Sequence, residues 1–287
     1  MTADDRAALR AATSPGVGLC TISGIEGSFS RRLGAQLAVH PDGSVTGSLA
    51  DGCLERQLAA EVLAGGERRV MRFGAGSPLI DFRLPCGSGL DILIDPAPER
   101  DALRAAVDLL DAREEASVPL TLGPLPERRY IPALRLVLFG EGPELEALAM
   151  LGRAAGLEVE SHSKDGAGSL SLGKAPGGVA IDRWSAVVLL FHDHEWEQAI
   201  LQWALATPAF FIGAQGGRTA REERAERLLK AGVAPDQIAR VASPIGVVQH
   251  SREPMALALS ILLMGLLSSV MALGVNIQWG YAGLFNT

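Results

Sequence analysis

The sequence predicts an α/β protein in which an N-terminal α+β domain precedes a doubly wound parallel sheet and an apolar C-terminal helix. Its length of 287 residues exceeds that of an ordinary single domain. Residues 117–133 contain four prolines, which indicate a linker because proline fits neither helix interiors nor central strands. The spacing of apolar segments changes across this linker. We therefore expect domains at 1–116 and 134–260 and a hydrophobic tail at 261–287.

The N-terminal domain alternates short β-rich segments with turns. Strand character is found in residues 17–23, 35–39, 45–49, 68–73 and 90–95. Between the third and fourth of these lies a predicted helix, 53–63, whose Leu54, Leu58 and Val62 form one apolar stripe. A second helix is predicted over 101–115. Strands followed by helices that do not alternate regularly are typical of an α+β domain.

The C-terminal domain alternates strands with helices. The predicted strands are 134–139, 157–160, 186–191, 209–213 and 239–241, and the predicted helices are 144–155, 195–206 and 219–231. Strands such as AVVLLF are apolar on both faces, as expected when helices cover both sides of a sheet. This pattern predicts a Rossmann-like, doubly wound parallel sheet.

The first strand of this domain runs into a glycine-rich turn and a helix. Gly140 suits a tight turn, and Gly142 would let the backbone approach a phosphate at the helix N-terminus. The third glycine of the dinucleotide fingerprint is missing, and Glu141 and Glu144 place negative charge beside the turn. The acid that usually binds the ribose is absent near Ser163. The fold is therefore predicted more firmly than NAD(P) binding, and two interpretations stay open: an NAD(P)-dependent oxidoreductase, or a scaffold for packing and partner binding.

Polar residues follow the strand at 186–191. His192 and His194 lie next to acids at the edge where doubly wound sheets bind ligands. Ligand contact, metal binding and plain loop polarity are all compatible with this pattern. The spacing supplies no third metal ligand, so no metal is assigned.

The composition excludes several classes of protein. Apolar residues make up 48% and charged residues 21%, a balance typical of globular proteins. The net charge of −7, with scattered Lys and Arg, predicts no nucleic-acid partner. Three cysteines without a Cys-x-x-Cys pair predict a reducing compartment and no disulfide framework. The initial MTADDRAALRAA lacks a signal-peptide core, so we expect a cytoplasmic location.

Two of the cysteines lie in glycine-rich turns. Cys53 follows Gly52 at the start of the predicted helix, where the helix N-terminus favours a thiolate, and Glu55 is two residues further on. Cys86 precedes Gly87 in a turn before a strand. Glycines beside a reactive group permit close approach by a bulky ligand, although a small turn-filling residue is the alternative for each cysteine. The third, in an apolar strand, is expected in the core.

A cluster at 27–35 combines a hydroxyl, two guanidiniums and flexible backbone. Ser28, Arg31 and Arg32 suit a phosphate or a pterin carbonyl. The alternative is a solvated turn.

These three clusters resemble one protein family. GSFSRRLGAQLAV (27–39), GSLADGCLE (47–55) and RFGAGSPLIDFRLPCGSGLDILIDP (72–96) are similar to the XdhC/CoxI family, the accessory proteins of xanthine dehydrogenase and related molybdenum hydroxylases. In the second domain, the GxG turn, VVLLFHDHEW, FIGAQGGR and SPIG resemble the Rossmann domain of such proteins. The resemblance covers roughly residues 10–260.

The resemblance implies a non-catalytic chaperone that binds the molybdenum cofactor (molybdopterin), helps a cysteine desulfurase to sulfurate it, and inserts it into xanthine dehydrogenase or a related hydroxylase. Cys53 and Cys86 match the family's cysteine positions, whereas Ala-Asp-Gly before Cys53 and Leu33 depart from its pattern. The sequence leaves both a monomer and a homodimer open.

The tail differs from the rest of the chain. Residues 254–287 contain no charged residue or histidine, and 255–275 are apolar enough for a transmembrane helix. A buried last helix of the second domain is the alternative. Residues 272–287 resemble an early segment of branched-chain amino-acid ABC permeases, which would indicate a fusion or a joining of reading frames. If the span is real, Arg252 would keep the two domains on the cytoplasmic side of the membrane.

Overall fold

The computed structural model of the chain describes residues 2–50, 52–77, 87–164, 170–248 and 253–265. The chain divides into two compact units, Met1–Pro132 and Ala133–Thr287. Cys86 and the tail from 266 onward lie outside the described residues.

The first unit contains a five-stranded antiparallel sheet in the order β3-β2-β1-β5-β4. Its strands are β1 (Gly18–Glu26), β2 (Gln36–Val39), β3 (Val45–Gly47), β4 (Arg69–Gly74) and β5 (Gly89–Asp95), and its helices are α1 (Ala3–Ala12), α2 (Cys53–Leu63) and α3 (Arg100–Asp111). The helix predicted from the apolar stripe at 53–63 is α2. Helix α1 was not predicted.

Helices cover both faces of this sheet because successive side chains along a strand point to opposite sides. On one face, Leu54 and Leu58 of α2 pack in a cluster with Cys20 and Ile22 of β1. On the other face, α1 and α3 pack against Leu19. Cys20 is fully buried, as the sequence predicted, and burial raises the pKa of its thiol to about 12.

The segment predicted as a linker contains a β-hairpin. Strands β6 (Ala116–Pro119) and β7 (Glu127–Tyr130) pair antiparallel within the first unit. The four prolines lie at the end of β6, in the connecting turn and after β7, where proline interrupts no ladder. Tyr130 is buried, and its hydroxyl donates to Gln36 Oε1 at 3.0 Å. Long-range packing thus attaches this segment to the first unit.

The second unit is a doubly wound parallel sheet in the order β12-β11-β10-β8-β9. Its strands are β8 (Arg135–Gly140), β9 (Glu158–His162), β10 (Ser185–Leu190), β11 (Phe211–Ala214) and β12 (Val241–Ala242), and its helices are α4 (Pro143–Ala154), α5 (Glu197–Leu205), α6 (Arg218–Lys230) and α7 (Pro235–Ile238). In chain order the strands are arranged 2-1-3-4-5, so the connections reverse direction between β8 and β10. Ligands of such sheets bind at the carboxyl ends of the strands near this point.

A further helix, α8, spans residues 254–265. Its Leu257, Ala258 and Ile261 are buried in the same cluster as Leu136 and Leu190 of the sheet. Among the described residues, no helix combines the length and apolar character needed to cross a membrane. The alternative of a packed last helix therefore holds as far as residue 265. The remainder of the predicted span, and residues 272–287 with their permease resemblance, lie outside the described part of the chain.

Candidate functional site

Three sequence motifs converge at one end of the first sheet. The last residue of β1, Glu26, pairs with Gly89 at the start of β5, and Gly47 at the end of β3 pairs with Leu37 near the start of β2. Because these strands are antiparallel, their connecting segments leave the sheet at the same end. We call this region the motif end; it comprises loop 27–35, the described residues of turn 48–52, the start of α2 and residues 87–88.

Cys53 is the exposed first residue of α2. Gly52 precedes it with a φ of 89°, a left-handed conformation that glycine adopts without strain. Arg56, one turn along the helix, places its Nη2 atom 3.2 Å from the Cys53 Sγ atom. The thiol thus lies at a helix N-terminus and beside a guanidinium, in an exposed position where a ligand could reach it.

Glu55 organises the turn before α2. Its Oε1 atom accepts hydrogen bonds from the backbone N–H groups of Leu49 at 2.9 Å and Ala50 at 3.2 Å, and from the Ser48 hydroxyl at 3.1 Å. A carboxylate engaged in this way fixes the backbone conformation. Glu55 therefore positions this turn, and its predicted role in cofactor binding stays a prediction.

Arg31 connects loop 27–35 to the same turn. Its Nη2 atom donates to the Ser48 hydroxyl at 2.9 Å, so a chain of hydrogen bonds runs from Arg31 through Ser48 to Glu55. Its Nε–H is buried and has no hydrogen-bond partner among the described residues. A buried unpaired donor is costly, and an anionic or carbonyl oxygen of a ligand would satisfy it.

Arg32 has a different environment. Its guanidinium pairs with the buried Asp5 carboxylate, which also lies 3.5 Å from Nη2 of the buried Arg128. Burial lowers the pKa of the Arg128 guanidinium. The two arginines expected to bind a ligand together therefore diverge, with Arg31 connected to the turn and Arg32 paired to α1.

The remaining predicted residues of the first unit lie at the same end of the sheet. Ser28 is exposed in the loop that follows β1, and Gly87 is exposed two residues before β5. A Cβ built on Gly27 would lie 3.6 Å from Ser88, so the loop and this turn are neighbours. Cys86 itself falls outside the described residues, and its predicted role stays a prediction.

Charged side chains of the protein lie beside the glycine-rich turn that follows β8 in the second unit. A Cβ on Gly140 would lie 2.3 Å from the Leu190 carbonyl oxygen, so glycine is needed there for strand packing. Gly142, with a φ of 82°, precedes α4, whose first residue is proline. Glu141 pairs with Lys164 Nζ at 2.8 Å, and Glu144 Oε2 lies 3.7 Å from His192 Nε2. This negative edge disfavours a dinucleotide pyrophosphate.

The two histidines after β10 separate. His192 is 65% exposed, whereas His194 Nδ1 lies 3.0 Å from Oε1 of the buried Glu197. Glu197 is in turn paired with the buried Arg224, with Nε–Oε2 at 2.8 Å. Among the described residues, no group of three or more histidine, cysteine or acidic side chains could hold a metal.

Sequence inspection missed Arg56, Ser48, Glu197 and Arg224. Two of them carried a local signal, since Arg56 lies three residues after Cys53 and Glu197 lies three residues after His194. The contacts of Ser48 with Arg31 and of Arg224 with Glu197 join residues farther apart in the chain.

Comparisons with known proteins identify the family of the chain. A model of the XdhC and CoxI family matches residues 11–74, and a model of the XdhC Rossmann domain matches residues 136–262. The chain is 31% identical to the molybdenum cofactor insertion chaperone PaoD of Escherichia coli K12, over 91% of this chain and 88% of PaoD.

The fold is similar to a crystal structure described as a xanthine dehydrogenase from Bacillus halodurans. The TM-score is 0.70 at 20% identity, over 92% of this chain and 95% of that one. At this identity the similarity shows the fold.

Proposed function

Because the chain belongs to the XdhC and CoxI family, we propose that it is a non-catalytic accessory protein that binds the molybdenum cofactor and inserts it into a partner enzyme. The relative PaoD is named for this task. The observation that carries the proposal is the motif end, where an exposed thiol, a guanidinium beside it and a buried unpaired N–H donor occur on connected turns.

The residues of the motif end fit molybdopterin, which carries anionic oxygens and a polar pterin ring. Arg31 Nε–H and Arg56 would donate to oxygens of the cargo, and the Cys53 sulfur would lie close to its metal or dithiolene. Gly52 and Gly87 leave room for a bulky ligand, since a Cβ on Gly52 would lie 3.8 Å from Arg56 Nη1 and a Cβ on Gly87 would meet no described atom within 4 Å. Ser28 and Cys86 belong to the same proposed site.

The proposed partner is xanthine dehydrogenase or a related molybdenum hydroxylase, with a cysteine desulfurase supplying sulfur before insertion. A carrier of this kind must hold its cargo and release it, so it needs an accessible site and no catalytic group of its own. The exposure of Cys53 supports this, because a thiol in the core could not reach a second protein.

The experiment is co-purification of the full chain with molybdopterin from a host that overproduces the cofactor, with bound pterin oxidised to its fluorescent derivative. We expect close to one pterin per chain and loss of most of it in Cys53→Ala and Arg56→Ala. Arg104→Ala is the matched control, because it removes an equivalent arginine with an i,i+3 contact on α3. Absence of pterin from the wild type, or equal pterin in all variants, would contradict the proposal.

A further inference from the structure

The second unit has a second glycine-rich turn, which ends at Gly217 and precedes α6. The N-terminus of α6 differs from that of α4 in its charge. Gly217 is the N-cap of α6, and being glycine it offers no side-chain acceptor to the first-turn N–H groups. The first turn of α6 contains no acid, whereas that of α4 contains Glu144 and Glu146 after a proline. Unpaired N–H groups and the helix dipole attract anions at the α6 end.

This turn forms one wall of a cavity of about 440 Å³. Arg218 and Arg221 line it, and neither has an ion pair or side-chain hydrogen bond among the described residues. No carboxylate lines the cavity in the described part of the chain. Two guanidiniums without counter-charges facing a cavity of this size are a separate observation from the helix terminus, and both favour an anion.

The opposite wall is apolar and comes from the segment after β12 and from α8. Ile245 and Leu257 line it and are buried, and Val248 lines it while remaining exposed. The cavity therefore presents cations on one side and hydrocarbon on the other. This combination suits a phosphate joined to an apolar or aromatic group better than a free inorganic ion.

Buried polar side chains hold both walls in place. Arg224 donates to the Gln215 carbonyl at 2.6 Å and to the Ser243 hydroxyl at 2.7 Å, which ties the glycine-rich turn to the segment after β12. Ser260 of α8 accepts the Val248 N–H at 2.8 Å through its hydroxyl. A cavity with fixed walls loses little entropy when a ligand enters.

From this cavity, its two unpaired arginines and its apolar wall, we infer that the second unit binds a phosphate monoester at the β11–α6 turn. The site differs from the usual dinucleotide position at the β8–α4 turn, which is filled by Glu141 and its partner Lys164. The inference is independent of the cofactor-carrier proposal.

The test is calorimetric titration of the full chain with AMP and with inorganic phosphate. We expect AMP to bind, and to bind at least about tenfold more tightly than phosphate because of the apolar wall. Arg218→Ala and Arg221→Ala should each weaken AMP binding by about tenfold or more. Arg153→Ala on α4 removes the same charge elsewhere in the unit and should leave binding unchanged.

Three results would overturn the inference: no AMP binding by the wild type, wild-type affinity in the Arg218→Ala/Arg221→Ala double variant, or equal affinity for AMP and phosphate. Both arginines are exposed, so the variants should keep the wild-type unfolding curve. If an alanine variant has a changed unfolding curve, Arg218→Lys and Arg221→Lys are tested instead. These variants retain the positive charge and should retain most of the AMP binding. Loss of binding in these lysine variants with an intact fold would also count against electrostatic recognition.

Discussion

Arg224 and Glu197 form a buried ion pair in the second unit. Their side chains are 4% and 1% exposed. Arg224 makes four hydrogen bonds, to Glu197 Oε2 at 2.8 Å and Oε1 at 3.2 Å, and to the Gln215 carbonyl and Ser243 hydroxyl. Replacing Arg224 with methionine keeps much of the volume but leaves Glu197 as a buried charge whose one remaining side-chain partner among the described residues is His194. We expect a loss of about 3–5 kcal/mol in the free energy of unfolding.

Tryptophan fluorescence measures the unfolding of the second unit of the chain, in which this loss occurs. All four tryptophans of the chain lie after residue 133, so urea unfolding followed by their fluorescence reports on the second unit. Arg227→Met on the same helix is the control, with an expected change within about 0.5 kcal/mol because Arg227 makes no ion pair among the described residues.

A double variant separates the ion pair from simple packing. Arg224→Met combined with Glu197→Leu removes both buried charges, and we expect it to recover roughly 2 kcal/mol relative to Arg224→Met alone. A loss below about 1 kcal/mol in the single variant, or no recovery in the double variant, would refute the view that an uncompensated buried carboxylate causes the destabilisation.

Three further predictions concern glycine, tyrosine and cysteine. Gly140→Ala should destabilise the second unit by more than Gly142→Ala. The new Cβ would lie 2.3 Å from the Leu190 carbonyl oxygen at position 140, but 3.4 Å from Glu144 Oε2 at position 142. Equal urea midpoints for the two variants would contradict this prediction. Burial raises the pKa of Tyr130 to about 12, above its ordinary value of 10.0, so between these pH values the folded chain keeps the phenol proton while the unfolded chain loses it. Stability of the first unit should thus fall as pH rises from 10 toward 12, and Tyr130→Phe should remove this contribution in circular dichroism melts. In a Cys86→Ser variant, a thiol reagent should label Cys53 in the folded protein and Cys20 only after unfolding, because Cys53 is exposed and Cys20 is buried. Labelling of both cysteines in the folded protein would contradict the burial of Cys20.

Local periodicity predicted the secondary structure well where one segment carried the whole signal. The apolar stripe of Leu54, Leu58 and Val62 predicted the helix Cys53–Leu63, and the apolar run at 186–191 predicted a central strand. The hairpin at Ala116–Pro119 and Glu127–Tyr130 was not predicted, because its stability comes from the burial of residues such as Tyr130 against distant parts of the unit.

The sequence by itself determined the α/β class, the order of most elements and the family, since these depend on spacing and motifs within short segments. Only the tertiary structure decided which motif residues lie together. It brought the 27–35, 47–55 and 87–88 segments to one end of a sheet, connected Arg31 to Glu55, and turned Arg32 toward Asp5. The physical reason is that antiparallel pairing and the burial of charge bring together residues that are far apart in the chain. A local sequence pattern does not contain the information that identifies the distant partner of a guanidinium.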